Sequence, residues 1–142
     1  MKKVFSLSAL LLAFLFAFAS CEEKDKPKPA TNTELLTSGT WKVNKVLANE
    51  TDYTNHNGMK SYATSEVLYR ADGTYVWKHS EGTYSGDWEF GDNETVIWED
   101  KGTTDELKWN IKELKPSSLI TTANKVDAVD TPYLLELQWG KK

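Results

Sequence analysis

Polar and apolar positions divide the chain into three stretches. From Val4 to Phe18 the side chains are apolar, interrupted only by Ser6 and Ser8. From Glu22 to Pro29 they are charged or proline, with nothing apolar to pack. From Gly39 onward, short runs alternate with a period of two and are separated by turn residues, which is the signature of half-buried strands.

The runs predict particular elements. Thr33–Ser38 suits one helical turn capped by Thr33 or Asn32. Thr40–Ala48 is the first strand, with Trp41 and Val43 on one side, and Asn49–Lys60 is a long polar loop. Tyr62–Arg70 is the second strand, closed by the Ala71-Asp72-Gly73 hairpin turn, where Gly73 can take positive φ. Thr74–His79 and Thr83–Phe90 follow; the first sets Tyr75, Trp77 and His79 on one face, the second Tyr84, Gly86, Trp88 and Phe90. Thr95–Glu99 is short. Glu106–Leu114 sets Leu107, Trp109 and Ile111 against Lys108, Asn110 and Lys112. Leu119–Asn124, a loop over Lys125–Thr131 and Pro132–Trp139 complete the chain.

Eight strands joined mostly by hairpins, with no helix long enough to cross over, predict an antiparallel meander. Such a sheet exposes two edges unless it closes. Closure at eight gives an interior that side chains just fill, or that holds one small ligand. The expected fold is therefore all-β: an eight-stranded antiparallel up-and-down β-barrel over residues 33–140, preceded by the short helical turn. A sandwich is the alternative.

The first stretch changes how the averages are read. Met1-Lys2-Lys3, the apolar run and Ala19-Ser20 form the three-part layout of a secretory signal over residues 1–20. The leader holds two lysines and no acid, so removing it makes the net charge of −4 more negative. An acidic body gives no electrostatic reason to expect nucleic-acid binding. A single cysteine, Cys21, excludes an internal disulfide framework and any zinc site built on several cysteines.

Phe18-Ala19-Ser20-Cys21 resembles the bacterial lipobox, with Phe18 in place of the usual Leu. The resemblance implies that the Cys21 thiol carries lipid and becomes the new N-terminus. Several acyl chains, palmitate among them, anchor stably where one binds only marginally. Residues 21–32 then form a disordered tether. The acidic cluster after Cys21 resembles surface-export signals of Bacteroidetes lipoproteins. The expected localisation is the bacterial cell envelope, lipid-anchored, at the periplasmic or surface face of the outer membrane.

The body resembles a family too. Leu35-Leu36 followed by Gly39-Thr40-Trp41 resembles the start of lipocalins, and Asp72-Gly73-Thr74-Tyr75 with Gly86-Asp87-Trp88 looks like the lipocalin-like lipoproteins of Bacteroidetes. The resemblance implies structural roles for Gly39 and Trp41, the Trp packing at the barrel's base. Lipocalins also carry a late basic residue that stacks on this Trp. The only arginine here is Arg70, so either Lys141 takes that place or the contact is absent. Thr51-Asp52-Tyr53 matches a lipocalin motif but stands in the wrong part of the chain, and the lipocalin disulfides are missing.

No catalytic constellation stands out. His56 and His79 read as solvated, too few His and Cys remain for a metal site of that kind, and Asp87 with Glu89 reads as an exposed strand face. No cofactor, metal or enzymatic activity is expected. The remaining signal is aromatic: six tryptophans, all in predicted strands. Filling the core is their plain explanation, since each aromatic can bury some 150–250 Å². The functional alternative is a cavity lined by Tyr75, Trp77, Trp88, Trp109 and Tyr133, with Tyr hydroxyls and Trp N–H groups as its few polar contacts. The expected function is non-catalytic binding of a small, partly apolar molecule. A solid barrel recognising proteins or glycans through residues 49–60 and 125–131 is the rival.

Overall fold

A computed structural model describes residues 28–142. The leader and Cys21 lie outside the described residues, as does most of the tether.

The barrel begins at a capped helix. In α1 (Asn32–Thr37), the Thr31 hydroxyl accepts from the Glu34 amide at 3.2 Å while Glu34 Oε2 accepts from the Thr31 amide at 2.7 Å. This reciprocal capping box satisfies two amides that an uncapped helix leaves bare. It makes Thr31 the cap, one residue ahead of the nearer expected position. Leu36 is fully buried, and its carbonyl accepts from Trp41 Nε1 at 2.8 Å.

The strands are β1 (Trp41–Ala48), a two-residue β2 (Thr51–Asp52), β3 (Glu66–Tyr69), β4 (Thr74–His79), β5 (Gly82–Gly91), β6 (Val96–Glu99), β7 (Leu107–Lys115), β8 (Ser118–Val126) and β9 (Pro132–Lys141). β2 pairs only with the end of β1; the other eight form the barrel in sequence order, every pair antiparallel. β9 returns to β1 from Trp41↔Lys141 to Ala48↔Leu135, so no full edge remains. Bulges between Val43 and Lys45 in β1 and between Ile111 and Glu113 in β7 bend the strands around the closure.

Three segments differ from the sequence reading, the first being the expected loop Asn49–Lys60, which contains β2 and a 3-10 turn at Asn57–Met59. The run Tyr62–Arg70 is a strand only from Glu66; Tyr62 belongs to α2 (Lys60–Ala63), which follows that turn. Periodicity over so few residues does not separate the two states. As a consequence β1 pairs with β3 only at Trp41↔Val67 and Lys42↔Glu66. Farther along, β1 is satisfied by irregular chain: the Val43 amide by the Ser65 carbonyl and the Val46 amide by Thr54 Oγ1. At the third discrepancy, Lys125 and Val126 extend β8 opposite Tyr133 and Pro132, where a loop is expected.

The two ends are unequal. α1 and the Lys141 side chain cover one, beside the turns at 70–73, 91–96 and 115–118. The other carries α2, the 80–82 turn, the 100–106 segment and the β8–β9 connection.

Candidate functional site

The covered end is filled by buried side chains. Trp41, Val67, Tyr69, Ile97, Leu119 and Leu137 are buried there, and Trp88 stands edge-on to Tyr69 at 5.5 Å and to Phe90 at 5.2 Å. Toward the other end the interior opens into a cavity of about 530 Å³. Its position follows from strand pairing. Gly82–Asp87 of β5 pair with β4, whereas β6 joins β5 only from Trp88 onward. The flank left unzipped is bordered by Ser85, Asp105 and Leu107, and α2 contributes Ser61 and Tyr62 to the lining.

Trp77 and Trp109 make one wall, stacked at 5.9 Å between ring centroids and 18° between planes. Trp139 stands edge-on behind Trp77 at 5.3 Å, its N–H donated to Thr121 Oγ1. Beside the stacked rings, joined to both by hydrogen bonds, Glu99 is 2% exposed and lines the cavity. Its Oε1 accepts from the Tyr69 hydroxyl at 2.6 Å and from Trp77 Nε1 at 2.8 Å, and its Oε2 accepts from Trp109 Nε1 at 3.1 Å. Among the described residues no lysine or arginine forms an ion pair with it. Burial raises its carboxyl above the usual range, with the three hydrogen bonds pulling the other way. The same desolvation, with Glu99 alongside, holds the Tyr69 hydroxyl protonated far above its ordinary value.

Asp100 secures the neighbouring wall. Its Oδ2 accepts from the Tyr75 hydroxyl at 2.6 Å and its Oδ1 from the Asp87 amide at 3.1 Å, joining β4 and β5 just past the end of β6. Gly86 makes room: a Cβ there would fall 1.9 Å from Asp100 Oδ1. Asp100 itself sits at φ 49°, a left-handed conformation that Asp tolerates better than most residues. At the rim, His79 stacks on Tyr84 at 5.0 Å, and Tyr84 is 56% exposed although β5's alternation pointed it inward with Trp88.

Of the five residues proposed from sequence to line a cavity, Tyr75, Trp77 and Trp109 do so. Trp88 does not. It lies where β5 is already zipped to β6, and its N–H is donated to the Arg70 carbonyl at 2.9 Å. Tyr133 packs half-buried against the core opposite Lys125 and is not among the lining residues. His79, expected in solvent, is part of the rim, while His56 is exposed, its Nδ1 accepting from the Gly58 amide. Trp41 is buried at the covered end; a Cβ at Gly39 would meet only the Lys141 side chain at an ordinary 3.9 Å. The N–H groups of Trp77 and Trp109 are not the cavity's polar contacts, because Glu99 has taken both. Glu99 is the residue that sequence reasoning missed. Its signal was available: two positions after inward Ile97, alternation aims it into the barrel.

No family model and no curated protein match this chain. Among solved structures it is similar to the odorant-binding protein from bovine nasal mucosa, at 15% identity over 83% of this chain and 77% of that one, with a TM-score of 0.51. The fold is lipocalin-like. The bovine protein complexed with its natural ligand aligns with the same identity and coverage at a TM-score of 0.50. A DUF4847 family protein from Bacteroides vulgatus aligns at 13% identity over 75% of this chain and 96% of that one, with a TM-score of 0.44. At 15% identity the likeness to the bovine protein speaks to the fold alone.

Proposed function

We propose that this lipocalin-like barrel is a non-catalytic receptor for a small, partly apolar molecule, bound in the cavity at its uncovered end. The observation that carries the reading is the cavity itself. Its volume of about 530 Å³ falls within the range of small-molecule sites, roughly 300–1,000 Å³, and its aromatic walls surround a single deeply buried carboxyl. A solid barrel working through its loops does not account for that volume. The bovine protein, solved with its natural ligand, is a precedent for this use of the fold.

The reading includes an address. Cleavage before Cys21 and its lipidation would leave the barrel tethered at the bacterial cell envelope, at the outer membrane, on a charged linker. The motif Phe18-Ala19-Ser20-Cys21 supports this.

Native mass spectrometry of the full chain, isolated from its source membranes, tests the binding role. A co-purified small molecule released on unfolding is expected, and a ligand-free barrel that also fails to bind apolar fluorescent probes overturns the reading. Anchoring is tested separately by fractionating cells that express Cys21→Ala. The variant should leave the membrane fraction, and a variant that stays there would show that lipid on Cys21 is not the anchor.

A further inference from the structure

Resting on the cavity-binding reading, we infer that the ligand class is an organic cation: an ammonium group on a small aromatic or aliphatic body. The charge of the lining points there. Glu81, Glu99, Asp100 and Asp105 all border the cavity, and among the described residues no lysine or arginine does. The nearest cation, Lys125, lies over the Trp109 ring at 5.6 Å without forming an ion pair with Glu99.

Glu99 carries the argument beyond a count of acids. A carboxyl taken out of water needs a cation or a full set of donors to offset its lost hydration. Here three neutral donors occupy three of the four or so lone-pair directions of the two oxygens. Oε1 is doubly engaged; Oε2 accepts only from Trp109 and retains acceptor capacity, in a residue that lines the cavity. Both Trp donors can only donate, so they hold the carboxyl as an acceptor. Lys125 acts on Glu99 only through space, so an N–H of a ligand ammonium would complete the set and place a positive charge in direct contact in a low-dielectric setting, where a charge-assisted bond is strong. Trp77, Trp109 and Tyr75 add aromatic side chains to the lining, and the Lys125 ammonium over the Trp109 ring at 5.6 Å is an instance of the attraction between a cation and a ring quadrupole in this part of the barrel. An anionic ligand would meet four carboxylates among the lining residues, with Lys125 beyond them as the nearby positive charge.

The test compares three ligands of one shape by calorimetry with the full chain in a mild non-ionic detergent at neutral pH: 2-phenylethylammonium, 2-phenylethanol and 3-phenylpropionate. N-phenyl-1-naphthylamine, a neutral apolar fluorophore, reports independently whether the cavity takes up ligand. The cation should bind at least tenfold more tightly than the alcohol, and the carboxylate most weakly. Glu99→Gln should reduce the cation-to-alcohol ratio to near one. Asp105→Asn, an exposed substitution with no demand on folding, should reduce it two- to threefold even if Glu99→Gln does not fold. Equal or tighter binding of the alcohol or the carboxylate overturns the cation assignment while leaving a small-molecule receptor intact. Uptake of the fluorophore with no binding of the other three overturns it in the same way. If the fluorophore also fails to bind, both readings fall.

Discussion

The Lys141 ammonium stands 3.7 Å from the centroid of the Trp41 ring. It joins the last residues of the barrel to the first strand, directly opposite in register to the residue it covers, and it also donates to the Leu35 carbonyl at 3.3 Å. One long side chain thereby ties β9, β1 and α1 together at the covered end. The lipocalin resemblance called for a basic residue stacked on the first Trp, and in a chain whose only arginine is Arg70, Lys141 takes that position.

Removing this contact should weaken the whole barrel. Lys141→Ala is expected to lower unfolding free energy by about 1–2 kcal/mol, the scale of a partly desolvated cation–π contact plus one hydrogen bond. Lys141→Arg should recover most of the loss. Urea denaturation followed by tryptophan fluorescence measures both. An alanine variant as stable as the parent would mean the stack is incidental.

Glu99 sets a pH dependence whose sign can be worked out. Its folded-state value is raised above the ordinary 4.5 by burial. The group's contribution is therefore fully present below about pH 4.5 and is lost as pH rises through the higher folded value. Asp72 and Asp127 oppose it, because hydrogen bonds from Thr74, and from the Thr131 and Val129 amides, lower their values; their contribution is lost as pH falls. The clean reading is a difference. The melting temperature of Glu99→Gln minus that of the parent should move in the variant's favour between pH 4.5 and pH 7. A flat difference would show that Glu99 does not titrate abnormally.

Gly86 is fixed by a neighbour, not by its own backbone angle. Gly86→Ala would put a methyl into the Asp100 carboxylate and displace its bonds to Tyr75 and the Asp87 amide. The expected cost is about 1–3 kcal/mol, the range for overpacking a tight site. Because the damage is routed through Asp100, combining Gly86→Ala with Asp100→Ala should cost less than the two separate losses. Chemical denaturation of the double-mutant cycle checks this, and simple additivity would disprove the coupling.

Two tryptophans on adjacent strands should behave differently in binding. Trp77→Phe removes part of the cavity wall and one donor to Glu99, and should weaken N-phenyl-1-naphthylamine binding by about tenfold, roughly 1.4 kcal/mol. Trp88→Phe loses its bond to the Arg70 carbonyl and some stability, yet should bind the probe like the parent. Fluorescence titration separates them. Equal losses would place the bound probe somewhere other than beside Trp77.

The strands were legible because their pattern is local. Thr74–His79 is a strand with the expected bounds, and the Asp72-Gly73 turn forms as its residue types require: Gly73 sits at φ 85° and Asp72 Oδ1 accepts from the Thr74 amide and hydroxyl. Tyr62–Ser65 was not legible, since its polar and apolar residues suit a helical turn or a strand equally. What decides it is the need to bridge the space beside β1, where Ser65 satisfies the Val43 amide and α2 helps line the cavity. The exposure of Tyr84 has the same kind of cause: it keeps the side of its partner Trp77 and lines the cavity, but lies on the unzipped half of β5, where no β6 neighbour covers it.

Alternation, turn chemistry and the absence of crossover helices thus determined an eight-stranded meander by themselves, since each acts over a few neighbouring residues. Which aromatics line a cavity and which fill the core depended on where β5 parts from β6, a matter of pairing between strands. That is why Trp77 borders the lumen and Trp88, at a similar place in its own strand's pattern, does not. The meaning of Glu99 was likewise tertiary. Alternation could aim it inward, but only the closed barrel brings Tyr69, Trp77 and Trp109 from three different strands onto its two oxygens.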